Sequence, residues 1–168
     1  MIEADLLVIG FGKAGKTLAT EVGRQGQRVV LVEESAQMYG GTCINTGCVP
    51  TKSLVYRSEH SPRGSSGTLV YADAVAATER LTAGLRAANL AALQSVPSVR
   101  VLTGRASFID ANSVAVETED GLATVVARDI VIGTGSTPVI PDLPVCGIVR
   151  SWSPARSCCG VPRARTGL

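Results

Sequence analysis

The sequence predicts an α/β fold: a parallel sheet flanked by helices, with a small antiparallel β-meander attached. Three observations carry this. The apolar run at residues 5–9 (DLLVI) leads through a glycine-rich turn into a helical period and a second apolar run, the outline of a βαβ unit. A long alanine-rich stretch follows at 71–94. Short β-type runs then succeed one another up to residue 132.

Taken in order, residues 5–9 read as a buried strand, and 10–15 (GFGKAG) as the turn. Residues 16–24 read as a helix, with Leu18, Ala19 and Val22 at helical spacing. Gly26 breaks it, and 28–32 (RVVLV) forms a second strand, parallel to the first, ending at Glu33. Residues 40–50 read as a loop entering a helix at 51–57, and 61–67 (SPRGSSG) as a polar loop. Strands are expected at 99–102, 106–109, 113–117 and 123–126, then at 129–132 before Gly133-Thr134-Gly135.

A chain of 168 residues is one domain's worth and can bury a core. With 45% hydrophobic and 18% charged residues it is globular rather than disordered. The net charge of +2 is uneven: four arginines and no acid follow Val145, leaving residues 1–144 at −2. Nothing in that body reads as a nucleic-acid surface. The N-terminus lacks a signal-peptide pattern, and the run at 6–9 is far too short to span a bilayer. The expected compartment is the cytoplasm, where a close cysteine pair is more often catalytic or metal-binding than a structural staple.

Gly10, Gly12 and Gly15 form a GxGxxG. The first permits a tight turn, the second lets backbone approach a pyrophosphate, and the third allows close helix–strand packing. The pyrophosphate would sit at the following helix N-terminus, where free N–H groups and the helix dipole favour an anion. Glu33, eighteen residues past Gly15, is placed to accept hydrogen bonds from an adenosine ribose. The turn, strand, helix and acid together point to an ADP-containing dinucleotide, without separating FAD from NAD. Lys13 and Lys16 read as solvated residues close to the phosphate.

Cys43 and Cys48 have four residues between them in GGTCINTGCVPTK. They can close a small loop if the backbone bends, and Gly47 supplies that freedom. A helix starting just after them would stabilise a thiolate, and Lys52 adds positive charge. A buried pair or half a metal site would not explain the flanking glycines, Asn45, Pro50 and Lys52 together.

This stretch resembles the active-site signature of the pyridine nucleotide-disulfide oxidoreductases, the family of glutathione reductase, dihydrolipoamide dehydrogenase and mercuric reductase. IGFGKAGKTLA, MYGGTCIN and GCVPTKSLV resemble its reactive-chlorine-resistance branch. The likeness covers about residues 6–144. It implies a Rossmann-like FAD-binding domain, incomplete at the C-terminus. It also implies electron flow from NAD(P)H through FAD to a Cys43–Cys48 disulfide. Cys43 would be the interchange thiol and Cys48 the charge-transfer thiolate, with Lys52 near flavin N5. Thr42 and the Gly40-Gly41 turn would contact the FAD phosphates and ribityl chain. The Ala106 backbone would bind adenine. Thr134-Gly135-Ser136 matches a flavin-contacting strand end, with Gly133 where the family usually has Ala.

The resemblance also implies parts that these residues do not show. Family members add a nicotinamide-binding domain, a returning piece of the FAD domain, and a homodimerisation domain bearing a His–Glu acid/base pair. No second GxGxxG occurs, and the only histidine, His60, reads as an exposed loop residue. Apolar residues such as Val8, Leu31 and Ile132 are therefore expected to be exposed on one side. Residues 1–144 read as the FAD-binding domain and 145–168 as an unrelated basic tail. The tail carries three of the five cysteines and resembles a GC-rich gene read in a shifted frame. Adjacent Cys158 and Cys159 are poorly spaced for zinc, and no metal site is expected. The acceptor would be a small molecule, a disulfide or a metal ion. The competing functions are a catalytically inactive flavin-binding fragment and a plain NAD-binding module.

Overall fold

The computed structural model describes residues 1–61 and 67–136. The basic tail and the inner part of the polar loop lie outside the described residues. Two compact units are present: Met1–Thr42 with Gly84–Gly135, and a second that includes Cys43–Ala83.

The first unit is built on one six-stranded sheet. Its strands are β1 (Ile2–Ile9), β2 (Val29–Glu33), β3 (Val99–Thr103), β4 (Arg105–Phe108), β5 (Ser113–Thr118) and β6 (Gly121–Ile132). They lie in the order β3-β2-β1-β6-β5-β4. The β1–β2 pair is parallel, as the βαβ reading requires, with Leu6 opposite Val29 and Ile9 opposite Val32. β2–β3 and β1–β6 are also parallel, while β4–β5 and β5–β6 are antiparallel. The meander is therefore continuous with the parallel sheet through β6.

β6 joins two runs that the sequence pattern separates, 123–126 and 129–132. The polar pair Arg128 and Asp129 interrupts the apolar pattern. Both side chains are exposed and bond each other, Arg128 Nε to Asp129 Oδ2 at 2.9 Å, so the strand passes through them unbroken. It changes partner on the way, pairing with β5 over Gly121–Val126 and with β1 from Val125 to Ile132.

Helix α1 (Lys13–Arg24) starts three residues before the sequence reading, so Gly15 lies inside it. The core has two clusters. One joins Leu6, Val8, Val29 and Leu31 with Phe11, Ala19, Tyr39, Leu93 and Val96. The other joins Leu7, Ile9, Val30 and Val32 with Val114, Val116, Val125 and Ala127 of the meander. Burial on both faces explains why β1 and β2 read as near-continuous apolar runs. Each such side chain contributes about 1.5–3 kcal/mol relative to remaining exposed. The expectation that Val8 and Leu31 are exposed is corrected: both are fully buried, beside Ala19 of α1 and Leu93 and Val96. Ile132, at the end of β6, is 65% exposed.

The second unit contains α3 (Cys48–Glu59) and most of α4 (Gly67–Gln94), and α2 (Thr42–Asn45) leads into it. The stretch read as a loop is thus largely helical. α3 begins at Cys48, capped by Gly47, and Pro50 sits in its first turn, where an absent N–H costs no helical bond. Ser53 and Thr78 tie α3 to α4 through a 2.8 Å hydroxyl hydrogen bond.

Candidate functional site

The glycine turn links β1 to α1, and each glycine does a separate steric task. Gly10 has φ +111°, and a Cβ there would lie 2.2 Å from the Gly133 carbonyl oxygen. This close approach seats the end of β6 beside the turn, and the Gly133 N–H donates to the Ile9 carbonyl at 2.7 Å. A Cβ on Gly15 would lie 2.4 Å from the Gly10 carbonyl oxygen, so the third glycine lets α1 pack onto the turn. Gly41, with φ +79°, would place a Cβ 2.7 Å from the Gly12 Cα. Gly12 differs from all three. Nothing lies within 4 Å of a Cβ built on it, which leaves its Cβ side open to approach.

Gly12 is also the N-cap of α1, and no side chain caps the helix. The first turn contains no acid. Its leading N–H groups are the ones an α-helix cannot satisfy internally, and the dipole makes them a site for negative charge. Glu33, at the end of β2, accepts the Phe11 N–H at 2.8 Å and the Ser35 N–H at 3.3 Å. Its carboxylate is therefore fixed beside the glycine turn, with lone pairs left to accept further donors. The residues present fit an ADP-containing dinucleotide: an open Cβ side at Gly12, a helix N-terminus with no side-chain cap and an oriented acid.

In the second unit, Cys43 lies in α2 and Cys48 is the first residue of α3. Both are free thiols and both are exposed. The Cys48 side chain is the main influence that raises the Cys43 thiol from its ordinary value. Desolvation and the charge on Cys48 push the same way, while the Cys48 N–H and the Lys52 ammonium oppose it. Gly47 and Thr51 secure the start of α3, Thr51 Oγ1 donating to the Gly47 carbonyl at 2.8 Å.

The structure thus brings Gly10, Gly12, Gly15, Glu33 and Gly41 together in one unit, and Cys43, Cys48 and Lys52 in the other. Thr42 is exposed at the start of α2. Ala106 lies on β4 opposite Val116. Thr134 and Gly135 follow β6 in exposed backbone, Gly135 with φ +73°. His60 is exposed at the end of α3, its Nδ1 bonded to the Tyr56 carbonyl at 2.8 Å and its ring stacked on Tyr56. Two features escaped the sequence pattern. Tyr39 bonds Thr103 through their hydroxyls, and its ring packs against that of Phe11 at a 45° tilt with centroids 5.1 Å apart. Gly104 lets β3 turn into β4, since a Cβ there would lie 2.2 Å from the Glu117 carbonyl oxygen. An isolated tyrosine and a lone glycine carry no spacing signal.

Among the described residues no group of three or more His, Cys, Asp or Glu is arranged to hold a metal ion, and no helix is long and apolar enough to cross a membrane.

A mostly parallel sheet with a glycine turn at its first βα junction and a pair of exposed thiols define a class of dinucleotide-dependent redox protein. The chain belongs to the pyridine nucleotide-disulphide oxidoreductase family, whose sequence model matches residues 4–159. It is 40% identical over 141 residues to the probable pyridine nucleotide-disulfide oxidoreductase RclA of Escherichia coli K12, covering 82% of this chain and 30% of that one. It is 34% identical over 152 residues to the dihydrolipoyl dehydrogenase of Bacillus subtilis 168, covering 82% and 31%. It also superposes, with a TM-score of 0.74 and 38% identity, on the HOCl-induced flavoprotein disulfide reductase RclA from Escherichia coli. That match covers 83% of this chain and 30% of the other. The chain spans about a third of the length of the curated relatives it matches.

Proposed function

We propose that these residues are the flavin-binding, dithiol-bearing portion of an NAD(P)H-dependent flavoprotein disulfide oxidoreductase working in the cytoplasm. The observation that carries this reading is the pair of free, exposed thiols, Cys43 in α2 and Cys48 at the start of α3. FAD, when bound, would supply a two-electron couple. Its diphosphate would lie against the Gly12 backbone and the α1 N-terminus, and its adenosine ribose against Glu33. Gly41, Thr42 and Lys52, with Ala106, Thr134 and Gly135, complete the proposed contacts.

The chain's own chemistry is thiol exchange. The Cys48 side chain beside it raises the Cys43 thiol from its ordinary value, so Cys43 must lose a proton before it can attack. For a disulfide acceptor, the deprotonated Cys43 sulfur would bond one acceptor sulfur and release the other as a thiolate. Cys48 would then attack Cys43, close the Cys43–Cys48 disulfide and release the second thiolate. The pair is oxidised by two electrons and the acceptor reduced by two. Removing the Cys43 proton needs a base. His60 is poorly placed for this, since it lies about 18 Å along α3 from Cys48 at 1.5 Å per residue.

The test is the absorption spectrum of the purified chain with FAD. Flavin bands that stay with the protein through gel filtration are expected. Mild dithiol reduction should add a long-wavelength band that Cys48→Ser abolishes and Cys43→Ser keeps. A chain that stays colourless at saturating FAD would overturn the reading.

A further inference from the structure

The first turn of α1 carries two lysines, Lys13 and Lys16, and no acid. A helix N-terminus already bears partial positive charge, so cations there are disfavoured unless an anion offsets them. The two lysines are not equivalent. The Lys16 ammonium is tied to Asn89 Oδ1, and Asn89 in turn donates to the Leu85 carbonyl at 2.7 Å. Lys16 is thus engaged on α4. Lys13 is exposed, and among the described residues its ammonium has no hydrogen-bond or ion-pair partner. It is the first helical residue, directly after Gly12, whose Cβ side is open to approach.

We propose that Lys13 is a cofactor-binding residue. Its ammonium would neutralise the diphosphate of the dinucleotide held at the Gly12 backbone, adding a side-chain charge to what the glycine turn supplies through backbone N–H groups. This rests on the flavin reading above. It goes beyond the turn motif, in which position 13 is unspecified. The local charge balance supports it: two lysines and the helix dipole repel one another in the free chain, and a diphosphate removes that repulsion. Lys13 therefore opposes the stability of the free helix and favours the bound state.

The experiment compares the full chain with its Lys13→Ala and Lys13→Arg variants. FAD affinity is read by flavin fluorescence at about 0.01 M and about 1 M salt, where the screening length falls from about 30 Å to about 3 Å. Thermal unfolding is followed without FAD. Lys13→Ala should weaken FAD binding about tenfold at low salt and much less at high salt. Lys13→Arg should stay close to the parent. Without FAD, Lys13→Ala should unfold at the same temperature or a higher one. Unchanged low-salt affinity in Lys13→Ala, or an equal loss at both salt concentrations, would overturn the assignment while leaving the flavin reading intact. Failure of the unsubstituted chain to bind FAD would overturn both.

Discussion

At the residue scale, two glycines of one motif should respond in opposite ways to the same added methyl group. At Gly10 the backbone sits at φ +111° and the new Cβ would meet the Gly133 carbonyl 2.2 Å away. Neither atom belongs to a flexible side chain, so β1 and β6 must separate or the turn must distort. Gly10→Ala should cost about 3 kcal/mol or more. Gly12 has φ −73° and open space. Gly12→Ala should leave stability within about 1 kcal/mol of the parent, yet weaken dinucleotide binding about tenfold or more by occupying the approach. Urea unfolding paired with FAD titration separates the two effects. Equal stability loss in both variants would contradict the division of labour. The sequence showed that both positions need glycine. Only the structure shows that one need is internal and the other faces outward.

At the element scale, apolar periodicity made β1, α1 and β2 legible, because those elements bury a continuous face. It failed where a polar interruption carried no structural break. Arg128 and Asp129 satisfy each other on the surface of β6, and Pro50 fits the first turn of α3. The Gly47 cap and the start of α3 at Cys48 were likewise hidden by loop-like composition. A second polar group sets how the βαβ unit responds to acid. Asp5 on β1 accepts from the Arg28 backbone N–H at 2.8 Å and from its guanidinium at 3.0 Å. Those bonds, the side-chain one foremost, lower its pKa from 3.8 to about 2. A carboxylate depressed in the folded state stabilises it above the unfolded pKa, and loses that contribution as pH falls through the folded one. Asp5→Asn should therefore be less stable than the parent at neutral pH, with the gap closing between pH 3.8 and about 2. The pair is exposed, so salt should shrink the gap throughout. Urea midpoints across that range measure it, and a gap that widens on acidification would refute the linkage.

At the scale of the whole molecule, the family was legible because the glycine turn and the cysteine stretch are both short, contiguous signals. Burial was less so. Val8 and Leu31 are expected from the sequence to be exposed, yet the meander covers one face of the sheet, while α1 and Leu93 of α4 cover the other. The remaining question is what these 168 residues can do by themselves. They contain one GxGxxG, and the flavin reading assigns it to the adenine dinucleotide of FAD. A nicotinamide donor would need a second ADP-binding turn, because hydride transfer requires both dinucleotides to be held at once. The Cys43 thiol is also raised from its ordinary value by Cys48, and His60 is bonded at the far end of α3. The chain alone should therefore bind flavin without passing electrons from NADH or NADPH. Anaerobic mixing with either nucleotide should leave the flavin absorbance unbleached over minutes, while dithionite bleaches it at once. Prompt bleaching by NADPH would show that a donor site exists within these residues, and would displace the assignment of the single glycine turn to FAD.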